Sequence, residues 1–96
     1  MSTNSVYIIT SINPKDGVLQ EIHEEMLYRK AYIIEANCGD AGLLKVLPPY
    51  DDRYHTFRTS PIVRCTPWHD EPDTIVMETK NTIYTLQKMG GKYERS

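Results

Sequence analysis

The fold is decided by the stretch TIVMETKNTIYTL, residues 74–86. With a two-residue turn at Lys80-Asn81, the stretch predicts a β-hairpin whose larger apolar side chains share one face. The predicted cross-strand pairs are Ile75 with Leu86, Met77 with Tyr84, Val76 with Thr85, Glu78 with Ile83 and Thr79 with Thr82. The Thr79, Met77 and Ile75 pairs share the face that packs on the core, and the Val76 and Glu78 pairs make the opposite, more polar face that meets water.

Other β-branched and aromatic runs predict further strands, all of them earlier in the chain than this hairpin. The predicted strands cover residues 6–10, 31–36, 43–47 and 54–66, and one helix covers residues 18–29. The fold class is therefore mainly β (α+β). We expect a small curled antiparallel sheet, or an SH3-like or OB-like partly open barrel, with one short N-terminal helix.

The predicted helix depends on a change of period after the first strand. Leu19, Ile22 and Met26 recur at spacings of three and four among polar residues, which is typical of a helix with one packed face. Asp16 upstream is a candidate cap. We therefore expect about three turns of helix, with these three apolar residues packed on the sheet.

Pro61 lies inside the longest predicted strand. Proline cannot donate to a β-ladder, so it predicts an edge, a bend or a bulge at this position. In regular alternation Phe57, Val63 and Cys65 fall on one face of the strand and Ile62 falls on the other.

Bulk properties limit the classes of function. The 96 residues predict a single domain, 1–96, with flexible tails at 1–5 and 91–96. A formal net charge of −2 carries no large basic field for nucleic acid. Neither a secretion signal nor a membrane-length apolar stretch is apparent, so we expect a cytoplasmic protein with no membrane partner and with reduced cysteines.

No catalytic, metal or cofactor pattern is predicted. Cys65 and His69 are four residues apart, but structural zinc sites show such ligand pairs twice. No nucleophile motif accompanies the serines or cysteines. The turn at Asp16-Gly17 is followed by acidic residues, which disfavours phosphate binding there. We therefore expect a non-enzymatic protein without metal or cofactor.

The C-terminal forty residues resemble small uncharacterised bacterial and phage-type β domains. In that pattern a TSxV strand, to which Thr59-Ser60-Pro61-Ile62-Val63 corresponds with one further residue before the valine, precedes a T-x-N-[ST]-x-Y-x-L hairpin, represented here by residues 79–86. The resemblance implies a small barrel-like domain and a phage or mobile-element origin. It assigns no ligand or catalytic residue.

The leading functional hypothesis is a small protein-interaction module, a homodimer or a subunit of a larger complex. In this hypothesis it is a phage or mobile-element inhibitor or regulator that binds a host protein. The alternative is binding or sequestration of a nucleotide or single-stranded nucleic acid on an aromatic and arginine-bearing sheet face. The predicted binding residues are Tyr54, Arg58, Arg64, Trp68 and His69. Trp68 is either a contact anchor or a lid over the barrel end.

Overall fold

The computed structural model describes residues 5–89. The predicted flexible tails lie outside this range apart from Ser5, whose hydroxyl donates to the Glu71 carboxylate at 2.6 Å. The elements are β1 (Tyr7–Pro14), α1 (Glu21–Met26), β2 (Lys30–Glu35), β3 (Ala41–Val46), β4 (His55–Cys65), β5 (Thr74–Thr79) and β6 (Thr82–Lys88).

The six strands form one antiparallel sheet that closes into a barrel. Each strand pairs with its neighbour in sequence, and β6 pairs with β1 to complete the ring. The predicted fold class is thus confirmed. In the part of the chain that the structure describes, no helix has the length and apolar character needed to cross a membrane.

The predicted hairpin is confirmed in its register. Met77 lies opposite Tyr84, and Ile75 lies opposite Leu86. All four side chains are buried at 2 % exposure or less. Their face of the ribbon is therefore the core face, as the alternation predicts.

The helix is shorter than predicted, because the chain is bonded elsewhere at both of its ends. At the start, the Asp16 carboxylate accepts the Val18 amide at 2.9 Å, and the helix begins only after Gln20. At the end, the amide of Tyr28 donates to the β1 carbonyl of Ile9 at 2.6 Å. The predicted range of 18–29 is wrong by three residues on each side.

A β-bulge interrupts β4 beside Pro61. Ala41 pairs with Pro61 and Leu43 pairs with Arg58, so the single residue Gly42 lies opposite both Thr59 and Ser60. The prediction that Pro61 marks an irregularity is confirmed in the form of a bulge.

A second register shift follows between Ile62 and Arg64. Together the two shifts break the regular alternation on which the predicted faces of β4 depend. Val63 is 53 % exposed, whereas Cys65 is half-buried and packs against the core. The prediction that Phe57, Val63 and Cys65 share a face is therefore wrong for Val63.

Candidate functional site

The residues that lead into α1 and form its first turn include three exposed apolar side chains. Val18 is 61 % exposed, Leu19 39 % and Ile22 41 %, while only Met26 and His23 of the helix are buried. The predicted packing of Leu19 and Ile22 on the sheet is wrong, because Leu19 precedes the helix and Ile22 lies on its exposed side. We call Val18, Leu19 and Ile22 the helix-entry patch.

Acidic side chains border the helix-entry patch. Glu21 and Glu24 lie in the first turn of α1 and are both exposed. On its helix side the patch therefore has a negative rim, since residues 18–26 contain no lysine or arginine, whereas Lys15 and Lys80 line the cleft beside Val18. A matching partner surface would be apolar with a positive rim.

A pair of tyrosines lies on the outer face of the barrel. The rings of Tyr32 on β2 and Tyr54 before β4 have centroids 5.2 Å apart, and both residues are half-buried. Lys45 of β3 pairs with Tyr32 in the sheet. The predicted site residue Tyr54 thus belongs to an aromatic pair that the sequence did not reveal.

The predicted arginines lie apart from one another. Arg58 is exposed on the half of β4 that pairs with β3, opposite Leu43. Arg64 lies beyond the bulge, on the half that pairs with β5, and its Nε is 3.9 Å from the Glu78 carboxylate. The β4 bulge therefore separates the two guanidinium groups.

Trp68 lies in the loop between β4 and β5. Its indole N–H donates to the Ala36 carbonyl at 3.1 Å, and its ring packs against the core. The His69 ring stacks on the indole with centroids 4.0 Å apart. This arrangement is that of a lid at the barrel end opposite the β5–β6 turn. Because Tyr54 precedes β4 and Trp68 follows it, the five predicted residues form no single surface.

The two cysteines are both free thiols. Burial raises the pKa of the Cys65 thiol to about 11, with a further contribution from Cys38. A thiol with so high a pKa is a poor nucleophile at neutral pH. Within residues 5–89 no group of three or more His, Cys, Asp or Glu side chains is placed to hold a metal ion.

A polar cleft of about 470 Å³ lies between the β1–α1 connection and the β5–β6 turn. Its size is in the range of small-molecule sites. The lining residues are Pro14, Lys15, Asp16, Val18, Gln20, His23, Lys80, Asn81 and Thr82. We call it the His23 cleft.

His23 is the most deeply buried polar residue of the His23 cleft apart from Thr82, at 7 % exposure. Its Nδ1 accepts the Gln20 backbone N–H at 3.3 Å, and its ring meets Tyr84 edge-on at 6.2 Å. Burial lowers the pKa of His23, and the Asp16 carboxylate partly offsets that effect. The ring is therefore neutral at neutral pH, with its proton on Nε2.

This burial predicts a pH-dependent stability. Because the pKa of folded His23 lies below its ordinary value of 6.5, the unfolded chain takes up a proton at this residue first as the pH falls. The free energy of unfolding should therefore decrease as the pH falls through 6.5 towards the lower folded pKa. His23→Asn retains an acceptor near the Nδ1 position and should flatten this decrease.

The measurement is urea unfolding at intervals from about pH 7.5 to about pH 5. His69→Asn, at an exposed histidine, is the control and should keep the slope of the parent protein. Equal slopes in His23→Asn and the parent would contradict the assignment. The depressed pKa values of Asp51 and Glu78, due first to hydrogen bonds from His55 and Lys15, affect stability only at lower pH.

Comparison of the chain with protein-family models, with curated proteins and with solved structures gives no match. The structure alone therefore defines the class of protein, which is a small closed β-barrel with an exposed apolar helix entry and a histidine-lined polar cleft.

Neither the helix-entry patch nor the His23 cleft could be predicted from the sequence, because local patterns fix neither the start of α1 nor the closure of the barrel. The helix-entry patch depends on where α1 begins, and the His23 cleft depends on barrel closure bringing residues 80–82 to residues 14–23. The one available signal was the density of apolar residues at 18, 19 and 22 beside a run of glutamates.

Proposed function

We propose that the protein is a non-enzymatic interaction module that binds another protein through the helix-entry patch. The observation that carries the proposal is the exposure of Val18, Leu19 and Ile22 within five residues of the chain. Of the eight strongly exposed large apolar residues in 5–89, these three and Tyr28 lie between residues 18 and 28. Apolar side chains concentrated in this way are typical of protein-binding surfaces.

The charge of the rim defines the partner. Self-association through the same patch would bring Glu21 and Glu24 of two copies together, which costs free energy at an interface. A different protein with an apolar recess bordered by lysine or arginine would complement both the apolar patch and the charge of its acidic rim. An inhibitor or regulator encoded by a phage or mobile element, acting on a host protein, is the form of this activity that the C-terminal hairpin resemblance supports.

The test is selection of binding peptides from a displayed random library on the immobilised protein, followed by titration of the selected peptides. We expect apolar peptides flanked by lysine or arginine. Ile22→Lys should weaken their binding at least about tenfold, because a central apolar contact becomes a cation. Val76→Lys is the matched control, since Val76 is 42 % exposed and Ile22 41 %.

Three results would overturn the proposal. The first is equal weakening of peptide binding by Ile22→Lys and Val76→Lys. The second is a dimer in light scattering that Ile22→Lys dissociates, which would make a second copy the occupant of the patch. The third is tight, salt-sensitive binding of an oligothymidylate that is lost in Arg58→Gln and unaffected in Ile22→Lys, which would favour the nucleic-acid alternative on the outer face.

A further inference from the structure

The His23 cleft holds a hydrogen-bond donor that the fold itself does not use. Nδ1 of His23 is occupied by the Gln20 amide, and Nε2 has no hydrogen-bond partner among residues 5–89. No buried side-chain nitrogen or oxygen in that range lacks a partner, so Nε2 must contact solvent. Since the ring lines the cleft and is otherwise buried, the cleft is where Nε2 is accessible.

Other donors line the same cleft from a distant part of the chain. Lys80 and Asn81 belong to the β5–β6 turn, and both are exposed. Lys15 also lines the cleft, but its ammonium is 2.8 Å from the Glu78 carboxylate. The acidic group of the lining is Asp16, one of whose oxygens accepts the Val18 amide. The cleft therefore combines a neutral imidazole N–H, an amide and an ammonium without an ion-pair partner in the described residues.

We propose that the His23 cleft binds an oxyanion group, a phosphate or carboxylate carried by a small molecule. Nε2–H of His23, the Lys80 ammonium and the Asn81 amide donate to its oxygens. Hydrogen bonds to a charged acceptor are the stronger kind, and a partly buried imidazole gives the group a fixed donor. The acidic residues after Asp16-Gly17 disfavour phosphate binding in the sequence alone, but barrel closure adds the Lys80 ammonium to the site. This inference does not rest on partner binding at the helix-entry patch, although Val18 belongs to both surfaces.

The test is NMR of the histidine ring nitrogens during titration with inorganic phosphate and, separately, with succinate. Chloride keeps the ionic strength constant. The free protein should show the Nε2–H tautomer of His23. Either oxyanion should then shift the His23 resonances saturably and raise the pKa of His23, whose other charged neighbours in the cleft are Lys15, Asp16 and Lys80, with Tyr84 packed on the ring.

The matched variants are Lys80→Met, in the cleft, and Lys30→Met, at an exposed lysine of β2 outside it. Lys80→Met should weaken binding roughly tenfold, and Lys30→Met should leave it unchanged. Saturation by phosphate alone or by succinate alone supports the site and identifies the class of the group. The Nδ1–H tautomer, the absence of saturable shifts, or equal effects of the two variants would overturn the proposal.

Discussion

Replacing Gly42 by valine is expected to lower the free energy of unfolding by about 3 kcal/mol. A Cβ at this position would lie 3.0 Å from the Thr59 hydroxyl, 3.1 Å from Ile62 Cδ1 and 3.3 Å from Met77 Sδ. Valine adds two further methyl groups to that space, which is already filled in the barrel interior. The amide of Gly42 also donates to the Thr59 hydroxyl at 2.8 Å, so displacing Thr59 removes a buried hydrogen bond.

The comparison variant is Gly42→Ala. The three neighbouring atoms are all on side chains and can move by a few tenths of an ångström. Alanine also reduces the conformational freedom of the unfolded chain. We therefore expect Gly42→Ala to stay within about 1 kcal/mol of the parent protein in urea unfolding. If Gly42→Val lowered the free energy of unfolding no more than Gly42→Ala, the close approach of β3 to the bulge would not constrain the barrel.

The C-terminal hairpin could be predicted because its information is local. A two-residue turn fixes the register, and alternation with period two then assigns each side chain to a face. The pairing of Met77 with Tyr84 could therefore be predicted without information from the rest of the chain. The number and approximate position of the other strands followed from equally local runs of β-branched and aromatic residues.

The helix and β4 could not be placed correctly, because non-local hydrogen bonds set their geometry. The amide of Tyr28 bonds to the carbonyl of Ile9 in β1, and α1 ends three residues earlier than the periodic pattern suggests. The register shifts of β4 arise in its pairing with β3 and β5, which a pattern within β4 alone does not show. A count of alternating positions therefore assigned Val63 to the wrong face.

Two of the three strongly exposed apolar residues that the structure describes in the sheet have a local cause that those of the helix-entry patch lack, and the third, Val76, lies on the outer face of β5 by regular alternation. Ile34 and Val63 are 41 % and 53 % exposed, and each is the extra residue where the strand register shifts. A bulge leaves its extra residue outside the regular alternation. Val18, Leu19 and Ile22 lie in no strand, so the barrel's construction does not account for their exposure. This difference favours the helix-entry patch over the sheet as the protein-binding surface.

Thr79→Val is expected to lower the free energy of unfolding by about 3 kcal/mol, although the two side chains have nearly the same shape. Thr79 is fully buried at the end of β5. Its hydroxyl donates to the Thr82 carbonyl at 2.9 Å and accepts the Thr82 amide at 3.0 Å. It also accepts the Ser60 hydroxyl at 3.0 Å and the Asn81 amide at 3.3 Å. One oxygen thus joins the β5–β6 turn to the β4 bulge.

Valine leaves the buried amide and carbonyl of Thr82 without this partner, and each unsatisfied buried group costs on the order of 1–3 kcal/mol. Thr85→Val is the matched control, because Thr85 is on the outer face of β6 and its hydroxyl makes no hydrogen bond among residues 5–89. That variant should remain within about 0.5 kcal/mol of the parent in urea unfolding. Equal stability of the two variants would mean that the turn relaxes to bond elsewhere. Because Lys80 and Asn81 are held between Thr79 and Thr82, Thr79→Val should also weaken phosphate binding in the His23 cleft, whereas Thr85→Val should not.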